Sequence, residues 1–250
     1  EGASLSHADL EKASFVGTNF TGADLRQSSL LGAVFDGCNL TGAQLAELDF
    51  RSPSLGRVSF ANANLRRAIF ARCELRGFDF HDAVLEQADL RHANLEGANF
   101  KRANIVEANL RHANLKKASL EDVIGQSADL SGTNMILVTA RGAKLIGVDL
   151  RFTEAVGIDL DRADLRYSDL RNADFTKANI ATTRLWGCKI RSTKLPSTAG
   201  HLKLLLLASQ LFQGVGRKAA KAMEARERKR IREVAELVRE RESARKRRPR

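Results

Sequence analysis

From Leu5 to Leu195 the chain places a large apolar residue at every fifth position; all 39 are Leu, Phe, Ile or Met except Gly125, Ala140 and Ala155. Two positions earlier, from Ala3 to Thr193, 31 of 39 residues are Ala, Ser, Thr or Cys, and the phase never slips. A fixed short period is an architecture signal and outranks local propensity. It predicts a solenoid whose coils contact only their neighbours. Each coil side has room for one large side chain, with a small one beside it at the corner. Burying each Leu or Phe is worth on the order of 1.5–3 kcal/mol.

The pattern is cleanest from Ala83 to Leu120; within it, from Ala88 to Leu115, Ala-(Asn/Asp)-(Leu/Phe/Ile) recurs every five residues, and two copies of RHANL begin at Arg91 and Arg111. The predicted core of this stretch is Leu85, Leu90, Leu95, Phe100, Ile105, Leu110, Leu115 and Leu120. Asp89, Asn94, Asn99, Asn104, Asn109 and Asn114 precede central residues, and such side chains favour turns by bonding nearby backbone. They are expected to shape corners rather than to do chemistry.

These residues resemble the pentapeptide-repeat family, whose consensus is Ala-(Asp/Asn)-Leu-X-X. The resemblance implies an all-β solenoid, a right-handed parallel quadrilateral β-helix with four pentapeptides per coil, here about ten coils followed by C-terminal α-helices. It places the two RHANL copies, twenty residues apart, on one face of successive coils. It also implies a division into a β-helix over 1–198 and a helical cap or dimerisation segment with a basic, partly disordered tail over 199–250.

Two stretches depart from the consensus. Between Leu45 and Phe80 the small position is enlarged at Leu48, Pro53, Val58 and Phe78. Pro53 has no N–H to give a ladder, and a local bulge or outward loop is expected there. From Glu121 to Leu160 the central residues shrink at Gly125, Ala140 and Ala155 while small positions grow to Val123, Val138, Val148 and Ile158. That exchange of volume is what a close-packed interior requires, so repacking, with or without a bend, is expected; a partner-binding irregularity is the alternative.

Charge separates the chain. Residues 201–250 hold 16 Lys+Arg and 6 Asp+Glu, leaving 25 basic and 24 acidic residues for a neutral body. Pro196–Gly200 combines turn and helix-start residues. The segment HLKLLLLASQLF, His201 to Phe212, then reads as an apolar helix, and from Lys218 strong helix formers carry only a thin apolar stripe. The tail resembles the helical pair that follows the repeats in some bacterial members of the family, some of which continue into membrane helices. Candidate interface residues are Trp186, Leu204, Leu207, Leu211 and Phe212, with a homodimer through the C-terminal helices. Candidate contacts to nucleic acid or an acidic membrane are Arg245, Lys246, Arg247, Arg248 and Arg250.

Catalytic signatures are lacking: no Gly-rich phosphate loop, nucleophile elbow or paired Cys-X-X-Cys is present. The resemblance stacks His92 on His112, but Arg72 and Gly132 occupy the equivalent positions one coil away, so no third metal ligand follows. Cys38, Cys73 and Cys188 fall at small inward positions, which the family's geometry puts on three faces. They are read as buried thiols rather than disulfide partners. The chain is expected to be a non-enzyme without cofactor or small-molecule substrate, cytoplasmic, and membrane-associated if the native chain is longer. In the resembled family the best-known activity is mimicry of double-stranded DNA by acidic rods that occupy type II topoisomerases such as DNA gyrase. Residues 81–100 and 121–140 are each net −3 while 101–120 is +4, an alternation unlike a phosphate backbone. A rigid scaffold or interaction module with an unidentified protein partner is therefore the leading expectation, followed by the gyrase mimic and then by polyanion attachment.

Overall fold

The computed structural model describes residues 1–197. Every backbone bridge in it is parallel and joins residue i to residue i + 20, from Ser4 with Asp24 to Asp174 with Lys194. One coil is therefore four pentapeptides, stacked at about 4.8 Å, the strand spacing. The central residues define four faces, running from Leu5 to Leu185, from Leu10 to Ile190, from Phe15 to Leu195 and from Phe20 to Ile180.

The hydrogen bonds of a single repeat explain the consensus. Ala88 donates to the Leu85 carbonyl at 3.0 Å, closing the turn, and Asp89 donates down to Ala68. Leu90 and His92 donate up to Asn109 and Arg111. The fifth N–H, that of Arg91, has no carbonyl to meet and donates to Asp89 Oδ1 at 3.1 Å. Where that amide is half-buried, as at Lys101, Val106 and Thr176, leaving it unpaired costs about 1–3 kcal/mol, so a short acceptor two residues upstream is favoured. Asn19, Asn99, Asn104 and Asp174 do the same for Thr21, Lys101, Val106 and Thr176. The Asp and Asn residues lie on the flat bridging positions and shape the corners by bonding nearby backbone, as expected. They secure each corner by bonding its first N–H.

Except at Ser52, Arg57 and Thr182, the corner is made by the second residue after each central one, which is left-handed, as at Gly97 (φ 69°), His92 (58°) and Lys117 (59°). Glycine adopts this region freely, whereas bulky residues do so at a cost.

Leu85, Leu90, Leu95, Phe100, Ile105, Leu110, Leu115 and Leu120 are all fully buried in one continuous core. Where Phe occupies a face in successive coils the rings stack: Phe50 on Phe70 at 4.6 Å and 5°, Phe60 on Phe80 at 5.3 Å and 7°, Phe80 on Phe100 at 4.9 Å and 11°. The coil spacing dictates these separations. Polar small residues are satisfied by carbonyls of the core: Cys38, Ser168, Cys188 and Thr193 donate to Phe15, Leu145, Leu165 and Leu170, each 23 positions back.

The two irregular stretches behave differently. Around Pro53 no loop leaves the rod, and Pro53 itself is buried. The Ser52 hydroxyl takes the Gly32 N–H at 3.0 Å, and Asp36 Oδ1 takes that of Arg57 at 3.2 Å, so side chains replace the missing backbone partners. Over 121–160 the ladder continues without a gap. Val123, Val138, Val148 and Ile158 are buried, and a Cβ added at Gly125 would stand 2.9 Å from both Ile105 Cγ1 and Leu145 Cδ2. Neighbours have taken the space.

The expected helical segment 199–250 lies outside the described residues, and with it Leu204, Leu207, Leu211, Phe212, Arg245, Lys246, Arg247, Arg248 and Arg250. Among the described residues no helix is long and apolar enough to cross a membrane.

Candidate interaction surface

Outward side chains fall into columns with a twenty-residue step, so each charge sees the charge one coil above or below. The sequence uses this to pair them. Glu47 with Arg67 (3.2 Å), Arg76 with Glu96 (3.4 Å), Lys101 with Glu121 (3.1 Å) and Asp174 with Lys194 (3.0 Å) are such pairs, as are Arg66 with Glu86 and Arg102 with Asp82. A second device works within one repeat. In Asp-(Leu/Phe)-Arg triplets the guanidinium folds back onto the carboxylate, as in Arg91 Nε and Nη2 to Asp89 at 2.8 and 2.7 Å. Arg26, Arg51, Arg151, Arg166 and Arg171 repeat it on Asp24, Asp49, Asp149, Asp164 and Asp169.

These forks set the carboxyl pKa values. Arg26 bonding holds Asp24 down at about 2. Bonding by the Thr176 hydroxyl and N–H, with Lys194, holds Asp174 at about 2. At Asp164 and Asp169 burial pushes the carboxyl up, but the arginine forks and backbone N–H bonds outweigh it and both stay below the usual range. The second face carries an aspartate column of the kind a phosphate mimic needs, yet Asp49, Asp89, Asp149 and Asp169 in it are each masked by their own arginine.

His92 and His112 stack with centroids 5.2 Å apart at 23°. Among the described residues no group of three or more His, Cys, Asp or Glu could hold a metal ion. The three cysteines are free, and burial pushes Cys73 up to about 11 and Cys188 up to about 12. Trp186, a candidate interface residue, is half-buried; beside it Gly187 sits under the ring of Tyr167, whose Cδ1 would lie 2.6 Å from an added Cβ.

Sequence reasoning missed a diagonal series of corner residues. Leu137 (54% exposed), Phe152 (61%) and Tyr167 (57%) are the large apolar side chains held out in solvent at left-handed corner positions, with φ of 58°, 60° and 65°. They are fifteen positions apart, so they occupy three neighbouring corners in successive steps. Half-buried Ile136 and Val156 adjoin Leu137. Reading off the second residue after each central one would have found them, because that series is otherwise Gly or polar.

The geometry thus defines a class: a non-globular, four-sided parallel solenoid with an internally neutralised surface. Sequence profiles then name the family. One described as a pentapeptide repeat region matches residues 3–80, and one described as pentapeptide repeats (8 copies) matches 79–116, 103–139 and 143–181. The chain belongs to the pentapeptide-repeat family, whose fold is the right-handed β-helix. Among solved structures it is similar to HetL, a pentapeptide repeat protein involved in heterocyst differentiation regulation from Nostoc sp. strain PCC 7120, with 26% identity over 78% of this chain and 86% of that one and a TM-score of 0.44. It is also similar to a trypsin-treated variant of QnrB1, a plasmid-mediated fluoroquinolone resistance protein, with 21% identity over 78% and 95% and a TM-score of 0.37. A third is a pentapeptide repeat protein of the Arabidopsis thaliana thylakoid lumen, with 24% identity over 55% and 68% and a TM-score of 0.15. Comparison with curated proteins gives no match.

Proposed function

We propose that this chain is a non-catalytic rigid scaffold, a protein-interaction module whose C-terminal segment covers the rod and mediates self-association. The observation that carries the reading is the pairing of surface charge, by forks within a repeat and by ion pairs between coils. It leaves a near-neutral body whose charges are largely engaged with one another. Burial by the core fixes the body, so what varies along the rod is its exterior. Association is assigned to the apolar run Leu202 to Phe212, with Leu204, Leu207, Leu211 and Phe212 as its anchors. Replacing Leu204 and Leu207 together by Glu then converts a dimer to a monomer in sedimentation; an unchanged mass refutes that assignment.

The second reading is a DNA-mimic modulator of DNA gyrase, favoured by membership of the family and by the aspartate column of the second face. A supercoiling assay with purified gyrase, run with the full chain and with a version lacking 201–250, separates the readings. No inhibition by either supports the scaffold. Inhibition by both makes the body a mimic in spite of its masked aspartates. Inhibition that follows the tail alone, with its sixteen basic residues, indicates competition for DNA by charge, the third reading.

A further inference from the structure

One corner of the rod combines lysines that the charge pairing leaves over with an exposed apolar middle. Read up the column that follows the third face, the residues are Lys116-Lys117, Ile136-Leu137, Val156-Gly157 and Thr176-Lys177. Lys116, Lys117 and Lys177 take part in no ion pair among the described residues. The reason is positional: the coils between them offer apolar residues where other columns offer a carboxylate. Below Lys116, Glu96 is already engaged by Arg76 at 3.4 Å. The middle of the column is exposed and apolar, with Leu137 leaning over Gly157 so that its Cδ2 is 3.0 Å from where a Cβ would stand.

Leu137 gains little from burial at this position and holds a left-handed backbone that Asn or Gly would adopt more easily. A residue kept at a backbone cost without compensating packing points to a use outside the folded chain.

We infer that this corner binds an acidic amphipathic helix of a protein partner. Three coil steps span about 14 Å, and eleven residues of α-helix span about 16 Å with a turn every 5.4 Å. A helix lying along the corner therefore meets each coil with one turn. Carboxylates at its first and twelfth positions reach the two lysine ends, and apolar residues at the fifth and eighth cover Ile136, Leu137 and Val156. Glu154, exposed on the third face beside Val156, keeps acidic residues out of the partner's middle. On the other side Asp159 is occupied by Arg141 and Asn179. The chain's own tail is a poor occupant, since residues 201–250 hold 16 basic against 6 acidic residues.

This inference rests on the interaction-module reading and names its partner chemistry; the two fail separately, because the test below leaves gyrase and residues 202–212 untouched. The probe is a fluorescein-labelled, helix-stapled peptide with Glu at positions 1 and 12, Leu at 5 and 8, and Ala and Gln elsewhere, titrated against the full chain by anisotropy. Leu137→Asn is expected to weaken binding about tenfold, as loss of a central anchor does, while melting no lower than the parent. Reversing Lys116, Lys117 and Lys177 to Glu abolishes binding and transfers it to the same peptide with Lys at positions 1 and 12. Failure of the peptide to bind, equal binding by the variants, or equal binding of a peptide with Glu but no Leu overturns the proposal. So does a change of the chain's own mass in sedimentation on Leu137→Asn without a change in peptide affinity, which would make a second copy the occupant.

Discussion

Gly125 is where the family consensus and the packing disagree, and substitution there tests which governs. The consensus asks for Leu at this central position. The structure places Ile105 Cγ1 and Leu145 Cδ2 each 2.9 Å from the first atom Leu would add, closer than side-chain carbons tolerate. Gly125→Leu must therefore displace two fully buried neighbours, in a coil already filled by Val123. Overpacking of this kind costs about 1–3 kcal/mol. Because coils couple only to their neighbours, the loss is local, and amide hydrogen exchange is the fitting assay: at about 1.4 kcal/mol per factor of ten, protection in residues 101–150 falls by roughly five- to 150-fold while residues 21–60 are unchanged. Adding Val123→Ala returns part of the volume and part of the protection. A Gly125→Leu chain with equal or greater protection would refute the compensation argument and make Gly125 a plain cavity.

Asp24 and Asp174, held at about 2 against an ordinary 3.8, contribute stability that is present above pH 4 and lost as pH falls toward 2. Urea midpoints should thus be flat from pH 7 to 5 and drop between 4 and 2, with the drop reduced by Asp174→Asn; a midpoint already falling at pH 6 contradicts the assignment. Ser168, fully buried, donates to the Leu145 carbonyl at 2.9 Å and accepts the Val148 N–H at 3.2 Å. Ser168→Ala strands both and should cost about 1–3 kcal/mol in urea unfolding, whereas Ala163→Ser, at a small position where Ala163 already closes its turn on Leu160 at 2.9 Å, should cost less. Cys188, raised by burial to about 12, should resist iodoacetamide at pH 8 in the native chain and react on unfolding; native labelling at the rate of a free thiol would show that the terminal coils open.

The repeat, its register, the core residues and the volume exchange around Gly125 were legible because a period of five forces every coil to reuse the same positions. Leu85 and Ile105 could be placed without coordinates. The role of Asp89 or Asn99 was only half legible. Their preference for turns was visible, but the particular amide they satisfy depends on which N–H the ladder leaves over, and that is a property of the stacked coils. At Pro53 the lost donor suggested a bulge or a loop; the ladder is locally interrupted, with no Ser54–Glu74 bridge among the described residues, but no loop forms, because hydroxyl and carboxylate groups at Ser52 and Asp36 substitute in place. The exposed diagonal of Leu137, Phe152 and Tyr167 was not legible from the inward positions, where a change of size signals packing.

That gap bears on how a solenoid acquires function. Inward positions are bound by volume, bridging positions by the orphan amide of the next corner, and many corner charges by a fork within the repeat or by the coil above or below. Little of the sequence is left free to encode a partner. What is free lies at corner positions where the paired charge has been given up, and between Lys117 and Lys177 this has happened in two successive coils. A partner reading that corner meets a flat, rigid column with one apolar patch and charge at both ends. Rigidity limits the ordering cost of binding, so a few side chains suffice for recognition while the rest of the rod serves to hold them in line.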